Sequence, residues 1–144
     1  NIQTLNVSNS FMKVLPSSVF DNLGSLVTAE FDNANIEIIT RGTFKSARNL
    51  KTLIIKSNAI SNLPNEAFSG AKNLISLTCE SNGIKSLTSE TFKGIEKLEE
   101  LSVRYNEISE IPPNAFDNLP ELRTLILSDN KLEHLNGDIL KFNR

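Results

Sequence analysis

The chain contains 144 residues, of which 39 % are apolar and 22 % are charged, with a formal net charge of −2. This length suits one domain. Positive and negative residues are interspersed along the chain, so it has no basic surface of the kind that binds nucleic acid or an anionic membrane. No apolar stretch approaches the roughly 18 residues that a bilayer span needs.

A pattern of 24 residues recurs along the chain without insertion or deletion. The stretch LKTLIIKSNAISNLPNEAF, residues 50–68, aligns with LISLTCESNGIKSLTSETF, residues 74–92, and with LEELSVRYNEISEIPPNAF, residues 98–116. We divide the chain into six units, coils 1 to 6, which are residues 2–25, 26–49, 50–73, 74–97, 98–121 and 122–144. The shared spacing L-x-x-L-x-L-x-x-N-x-L is the signature of a leucine-rich repeat solenoid.

Each coil opens with a short run of period-two alternation. In coil 3, Leu53 and Ile55 alternate with Thr52, Ile54 and Lys56, which indicates a short strand with one buried face. Strands joined by crossovers must be parallel, and six of them make a sheet roughly 24 Å wide. The predicted fold class is an α/β repeat solenoid, a leucine-rich repeat horseshoe. Its concave face is a six-stranded parallel sheet, and its convex side is mostly irregular, turn or short helical structure.

An asparagine follows the strand in four coils, and we call this set the Asn ladder: Asn58, Asn82, Asn106 and Asn130. A carboxamide has two donors and an acceptor, so it can satisfy backbone groups that the chain frees inside the stack as it turns. Coils 1 and 2 have Ser10 and Ala34 at this position. Because alanine supplies no hydrogen bond, we expect local looseness there or compensation by water.

The convex side carries proline in alternate coils, at Pro16, Pro64 and Pro112, which favours extended or turn structure. One phenylalanine per coil follows at a constant position, and the predicted aromatic spine of the core is Phe20, Phe44, Phe68, Phe92 and Phe116. In coil 6 the pattern decays, because Leu140 stands at the phenylalanine position and Asn143 at a position that is otherwise apolar.

The residue types of common catalytic sites are scarce. His134 is the single histidine, which excludes a histidine-based triad within this chain and a multi-histidine metal site. Cys79 is the single cysteine and occupies a repeat position that is otherwise apolar, so we interpret it as a small buried hydrophobe. Glu99 and Glu100 are predicted to point in different directions, which disfavours an acid–base pair. We therefore expect no enzyme, no metal and no cofactor.

The outward residues of the concave sheet are the predicted recognition surface. One column reads Asp32, Lys56, Glu80 and Arg104, which forms either a self-satisfied row of surface ion pairs or a row that exchanges these pairs for a partner's charges. Arg104 and Tyr105 with an exposed Ile126 resemble an interface hot spot, against the alternative of scattered apolar side chains. The predicted partner-binding residues are Glu30, Asp32, Ile54, Lys56, Glu80, Arg104, Tyr105 and Ile126.

The 24-residue length, the proline after the second convex-side leucine and the phenylalanine four positions later resemble the "typical" class of leucine-rich repeats. That class includes Toll-type receptor ectodomains, Slit-type proteins and insect leucine-rich immune proteins. The resemblance implies a non-enzymatic, extracellular recognition array that binds a protein partner in innate immunity or cell-surface recognition. Two alternatives stay open: a structural spacer or oligomerisation segment, and an intracellular or bacterial leucine-rich repeat binding protein.

The ends of the array and one sequon carry further expectations. Asn6-Val7-Ser8 is an N-x-S/T sequon, so a glycan on Asn6 is expected if a eukaryotic cell secretes the protein. Such arrays usually carry cysteine-rich caps, and this chain has none, so we expect it to be part of a longer protein or to be capped otherwise.

Uncapped ends expose core residues and favour self-association. The N-terminal section is expected to expose Ile2, Leu5, Val7, Met12, Leu15 and Phe20. The C-terminal section is expected to expose Leu125, Leu127, Leu135 and Leu140 unless residues 140–144 fold back with Phe142 as a lid.

Overall fold

The computed structural model describes residues 1–143, so that residue 144, the end of coil 6, lies outside the described part. Six parallel strands form one sheet in chain order. They are β1 Thr4–Asn6, β2 Thr28–Glu30, β3 Thr52–Ile54, β4 Ser76–Thr78, β5 Glu100–Ser102 and β6 Thr124–Ile126. Their register advances by 24 residues per strand, as in Thr28 opposite Thr52 and Glu100 opposite Thr124. The predicted fold class is confirmed.

Each strand is only three residues long because the chain turns sharply soon after it. The residue before the Asn ladder position has a left-handed φ of 54° to 58° in every coil. These six residues are Asn9, Asn33, Ser57, Ser81, Tyr105 and Asp129. A left-handed residue cannot continue a strand, so the turn directs the chain away from the sheet at the same height in each coil.

The convex side consists mainly of turns, with two short 3₁₀ helices at Ser17–Phe20 and Gly137–Leu140. Within residues 1–143, neither helix is long and apolar enough to cross a membrane. The five phenylalanines of the aromatic spine are fully buried, and the ring centroids of successive members lie 5.2 to 6.3 Å apart. Cys79 is also fully buried, as its apolar repeat position predicts.

The Asn ladder joins each coil to the coil before it. Asn58 Oδ1 accepts from the backbone N–H groups of Ala34 at 2.9 Å and Ile36 at 3.1 Å, and its Nδ2 donates to the carbonyl of Phe31 at 2.7 Å. Asn106 repeats this arrangement, accepting from Ile84 N–H at 3.1 Å and donating to the Cys79 carbonyl at 3.0 Å. Each carboxamide therefore satisfies backbone groups 22 to 27 residues earlier in the chain.

Coil 1 is fastened by other groups, because the Ala34 position of coil 2 offers it no carboxamide. The Ser10 N–H donates to the Asn33 carbonyl at 3.2 Å, and the Met12 N–H donates to the Ala34 carbonyl at 3.0 Å. Asn35 Nδ2 donates to the Ser10 carbonyl at 2.8 Å. Direct protein contacts thus replace the looseness or water that the sequence led us to expect, and Asn35 reaches back across the coil boundary.

The two ends differ from the sequence-based expectations in part. At the N-terminal end, Leu15 and Phe20 are buried rather than open, because Phe20 packs against Phe31 and Phe44. At the C-terminal end, Leu140 is 44 % exposed, as expected, although it stands at the phenylalanine position of the repeat, while the neighbouring Ile139 is buried at 3 % exposure. Leu135 is exposed as expected, and Leu125 and Leu127 are partly buried.

The last turn is anchored by an asparagine at a repeat position that is apolar in the other coils. Asn143 Nδ2 donates to the Phe116 carbonyl at 3.0 Å and to the Leu119 carbonyl at 2.6 Å. Phe142 is 54 % exposed, so it does not act as a lid over the end of the core. In coil 6 the 3₁₀ helix turns Ile139 inward in place of Leu140, and the decay of the repeat at Asn143 provides a polar fastening to coil 5.

Candidate binding surface on the concave sheet

The concave face and its rim carry an acidic charge balance. The middle residue of each of β2 to β5 points into the core and is buried, so the flanking residues face outward. The charged outward residues are Glu30, Asp32, Glu80, Glu100 and Asp129 with Lys56 and Arg104. The face therefore carries a net charge of −3, slightly more negative than the −2 of the whole chain.

The predicted column of ion pairs does not form. Among the described residues, no ion pair within 4 Å joins Asp32, Lys56, Glu80 and Arg104 to one another. Glu80 instead accepts a hydrogen bond from the hydroxyl of Ser102, and Arg104 Nε donates to Asp129 Oδ2 at 2.9 Å. Glu80 and Arg104 thus each bond to a residue of the next coil that lies outside their own column.

Arg104 and Tyr105 form a compact pair at the rim. The guanidinium carbon of Arg104 lies 4.4 Å from the centroid of the Tyr105 ring, within the range of a cation–π contact. The hydrogen bond to Asp129 raises the pKa of Arg104 above its ordinary value, so the guanidinium remains charged. The Arg104 side chain thus contacts both Asp129 and Tyr105.

The backbone of Tyr105 is unusual for its residue type. Its φ is 55°, in the left-handed region where a bulky side chain is strained, and its side chain is 47 % exposed. The other five coils place Asn, Ser or Asp at this position. The repeat pattern predicted that Tyr105 is an exposed aromatic residue, but the left-handed conformation of its backbone was not predicted. The signal was available in the column itself, since Asn, Asp and Ser are residues of turns and of left-handed positions.

A shallow cavity of about 150 Å³ lies across β4, β5 and β6. Its lining includes the outward-facing residues Glu80, Glu100, Ser102, Thr124 and Ile126. The structure thus brings together two predicted site residues, Glu80 and Ile126, with Glu100 and Ser102, which the sequence did not predict as partner-binding residues. Their roles depend on which side chains meet across neighbouring coils.

The remaining predicted site residues lie elsewhere on the sheet. Glu30 and Asp32 belong to coil 2, and Ile54 and Lys56 belong to coil 3, so they lie three and two coils from the Arg104–Tyr105 pair. At about 4.8 Å per strand, these separations are roughly 10 to 14 Å. They belong to the same concave face but not to the same local cluster.

The sequon asparagine lies at the outward end of β1. Asn6 is exposed, its Oδ1 accepts from the Ser8 N–H at 3.0 Å and from the Ser8 hydroxyl, and its Nδ2 donates to Glu30 Oε2 at 3.3 Å. A substituent on this side chain would project from the first strand of the concave sheet.

The polar residues offer no assembled metal centre. His134 is exposed on the turn after the Asn ladder position, and Glu99 pairs with Arg123 at 3.8 Å. Within residues 1–143, no three His, Cys, Asp or Glu side chains are grouped so that they could hold a metal ion. Burial raises the pKa of the Cys79 thiol to about 12, so it is protonated at neutral pH.

Comparisons with known proteins agree with this fold. The family described as Leucine rich repeat matches residues 30–83 and 72–132, and the chain belongs to this family. A leucine-rich repeat protein of Leptospira interrogans superimposes with a TM-score of 0.83 at 24 % identity, over 99 % of this chain and 35 % of its own. TLR13, in its complex with ssRNA13, superimposes with a TM-score of 0.77 at 21 % identity, over 97 % of this chain and 23 % of its own. Comparison with curated proteins found no match.

These likenesses define the fold class and no more. The chain spans about a third of the length of the Leptospira protein and about a quarter of the TLR13 chain. The comparisons indicate no enzyme family, and members of the leucine-rich repeat family typically bind proteins.

Proposed function

We propose that this chain is a non-enzymatic recognition array that binds a protein partner through its concave face. The observation that carries the proposal is Tyr105, an exposed aromatic residue in a left-handed conformation beside a fixed arginine. Ser57 and Ser81 make the same turn in other coils, so the fold does not need tyrosine there. Strain at a bulky residue of this kind costs on the order of 1–3 kcal/mol, and we infer that partner binding offsets it.

The substitution Tyr105→Asn is expected to have two opposite effects, one on stability and one on binding. Tyr105→Asn relieves the backbone strain, so its urea midpoint is expected to lie above that of the wild type. The same substitution removes the aromatic contact, so binding is expected to weaken. A substitution that stabilises the fold while it weakens binding identifies a residue kept for recognition. A lower urea midpoint for Tyr105→Asn would contradict the strain argument.

Photo-crosslinking can test which face meets the partner. A benzoylphenylalanine at position 126 on the concave face is compared with one at position 110, which is exposed outside the sheet. We expect protein adducts from position 126, and we expect Tyr105→Asn to reduce them. Adducts from position 110 alone, or adducts at position 126 that Tyr105→Asn leaves unchanged, would contradict concave recognition.

We place the protein outside the cell, in innate immunity or cell-surface recognition, on its resemblance to the extracellular class of repeats and on the Asn6 sequon. We also propose that the six coils belong to a longer protein, since both structural neighbours are about three to four times the length of the matched segment. A glycan on Asn6 would cover β1 and leave β4 to β6 free for the partner. Intact mass of protein from insect cells before and after glycosidase treatment tests this, and an unchanged mass would count against it.

An oligomerisation segment is the second candidate function. It is favoured by the exposed apolar residues at the two ends of the stack, such as Ile2 and Leu135. In that case the ends would carry the contacts, and Tyr105→Asn would leave assembly unchanged.

A further inference from the structure

The concave cavity of about 150 Å³ has a lining that selects for one kind of side chain. Leu77 and Leu101 belong to its buried floor, and Ile126 is an apolar wall that is 39 % exposed. Glu80 and Glu100 contribute its two charged groups, both negative, and no cation lines it among the described residues. The cavity therefore joins an apolar wall to two carboxylates.

The two carboxylates border the same space. Glu80 accepts the hydroxyl hydrogen of Ser102, which places its carboxylate beside that residue of β5. Glu100 is the first residue of β5, two positions before Ser102, and this spacing corresponds to about 7 Å along the strand. Ser102 is itself only 7 % exposed, so the hydroxyl fixes the Glu80 carboxylate at the edge of the cavity.

The size of the cavity disfavours a drug-sized molecule, and its charge disfavours a nucleic-acid strand. Drug-sized molecules need about 300 to 1,000 Å³, whereas a water molecule occupies about 30 Å³, so this space suits a single side chain. The two carboxylates repel a phosphate group, which disfavours a nucleic-acid strand at this position. A lysine or arginine side chain fits both features, since it has an apolar stem and a cationic head.

The neighbouring cations of the protein leave this space to a partner. Arg104 is bonded to Asp129 and stacked on Tyr105, and it does not line the cavity. Lys56 belongs to the coil on the other side of Glu80 and makes no ion pair within 4 Å among the described residues. The net charge of −3 over the whole concave face would also steer a basic segment toward it.

We propose that this cavity accepts a lysine or arginine side chain from the protein partner, with its stem against Ile126 and its head between Glu80 and Glu100. The proposal rests on the proposed function, because it names the chemistry of the partner that the concave face recognises. It also assigns a specificity role to Glu100 and Ser102, which are not among the partner-binding residues predicted from the sequence. Tyr105 and Arg104 would contact the partner alongside this basic anchor.

The test uses a display library of randomised twelve-residue peptides selected on the intact chain. We expect the enriched peptides to share a lysine or arginine at one position. The best peptide should bind the Glu80→Gln/Glu100→Gln variant at least about tenfold more weakly, because a charge-assisted hydrogen bond is lost. Glutamine still accepts from Ser102, so the cavity should keep its shape. The matched control is Glu107→Gln/Glu110→Gln, which removes two exposed carboxylates outside the sheet and should leave the affinity unchanged.

A second arm links the peptide residue to the cavity. Replacing the shared lysine by norleucine, or the shared arginine by citrulline, should weaken binding to the wild type but not further weaken binding to the double variant. Peptides that crosslink at position 126 but share no basic residue would overturn this inference and leave concave recognition standing. Peptides whose binding ignores both Tyr105→Asn and the double variant, or a selection that yields no binder, would count against both proposals.

Discussion

The side chain of Asn106 forms hydrogen bonds both within its own turn and to the preceding coil. Its side chain is buried, accepts from the Ile84 N–H, and donates to the carbonyls of Cys79, Val103 and Arg104. These contacts tie the turn of coil 5 to the backbone of coil 4. The same atom pattern repeats along the Asn ladder, which explains why a carboxamide is found next to the core.

Asn106→Ala should therefore destabilise the chain more than Asn114→Ala. The first substitution strands buried backbone groups at a cost of roughly 1–3 kcal/mol, whereas Asn114 is exposed on the convex side. Urea midpoints of the two variants measure the difference. Equal midpoints would contradict the role assigned to the Asn ladder.

A threonine pair replaces proline on the convex side of coils 2 and 4. The Thr88 N–H donates to Thr91 Oγ1 at 2.9 Å, and the Thr40 N–H donates to Thr43 Oγ1 at the same distance. The second threonine of each pair is fully buried. Coils 3 and 5 have proline at the first position and alanine at the second, at Pro64 with Ala67 and at Pro112 with Ala115. Proline has no N–H group, so those coils need no buried acceptor.

This pairing predicts non-additive substitutions in coil 4. Thr91→Ala leaves the Thr88 N–H without its partner, and Thr88→Pro leaves the buried Thr91 hydroxyl without its donor, so each single change should cost roughly 1–3 kcal/mol. The double variant Thr88→Pro/Thr91→Ala copies coils 3 and 5 and should be more stable than either single variant. Chemical denaturation of all four proteins tests this, and additive losses would sink the argument.

Because the thiol of Cys79 is buried, the free energy of unfolding is expected to depend on pH in the alkaline range. Burial raises the pKa of this thiol from 9.0 to about 12, so the unfolded chain releases the proton at lower pH than the folded chain. The contribution is fully present below pH 9 and is lost as the pH rises toward 12. At pH 10, the free energy of unfolding should fall by about 1 kcal/mol relative to Cys79→Val. Parallel pH profiles for the two proteins would contradict this, since all other titrating groups are shared.

Close approach of the convex turns decides where glycine is needed. Gly70 has a φ of 105°, and a Cβ there would lie 2.5 Å from the Cα of Lys45 and from the Phe44 carbonyl oxygen. These are backbone atoms of the preceding coil, which cannot move without disturbing the aromatic spine at Phe44. Gly42 has no neighbouring atom within 4 Å of such a position.

Gly70→Ala should accordingly destabilise the array by roughly 2 kcal/mol or more, through strain at positive φ and overpacking. Gly42→Ala is the matched control and should change the free energy of unfolding by less than about 0.5 kcal/mol. Guanidinium midpoints compare the two. A loss at Gly42 as large as that at Gly70 would show that close coil contact is not the cause.

Both ends of the stack of coils expose apolar side chains. Phe11 is 90 % exposed near the N-terminal end, and Leu135, Leu140 and Phe142 are exposed at the C-terminal end. Within residues 1–143, the outer edges of β1 and β6 have no neighbouring strand. An edge strand beside exposed apolar surface favours association.

We therefore expect the 144-residue chain to self-associate as its concentration rises. Contact of unlike ends would extend into longer assemblies, whereas contact of like ends would close as a dimer. Sedimentation over a concentration series distinguishes these outcomes, with Leu135→Ser/Phe142→Ser as the variant that should weaken C-terminal contacts. A monomer at every concentration would show that the ends are sufficiently covered.

The number of coils, the strand positions and most of the core can be predicted from the repeat pattern. These features follow from a period of 24 residues and from alternation within each strand, and both are local patterns. Leu53 and Phe68 could be placed in the core from their repeat positions alone, because every coil presents the same inward positions. Tyr105 and Ile126 could likewise be placed on the concave side, since outward positions alternate with buried ones.

The polar contacts between coils could not be predicted from the repeat pattern. Arg104 bonds to Asp129 rather than to Glu80, and Asn35 reaches back to the Ser10 carbonyl. These contacts depend on rotamers and on the offset between neighbouring coils, which a repeat alignment does not contain. The cavity between Glu80, Glu100 and Ile126 arises in the same way, because its walls come from three successive strands. A repeat pattern specifies what each coil presents, whereas the stacking geometry specifies which side chains touch.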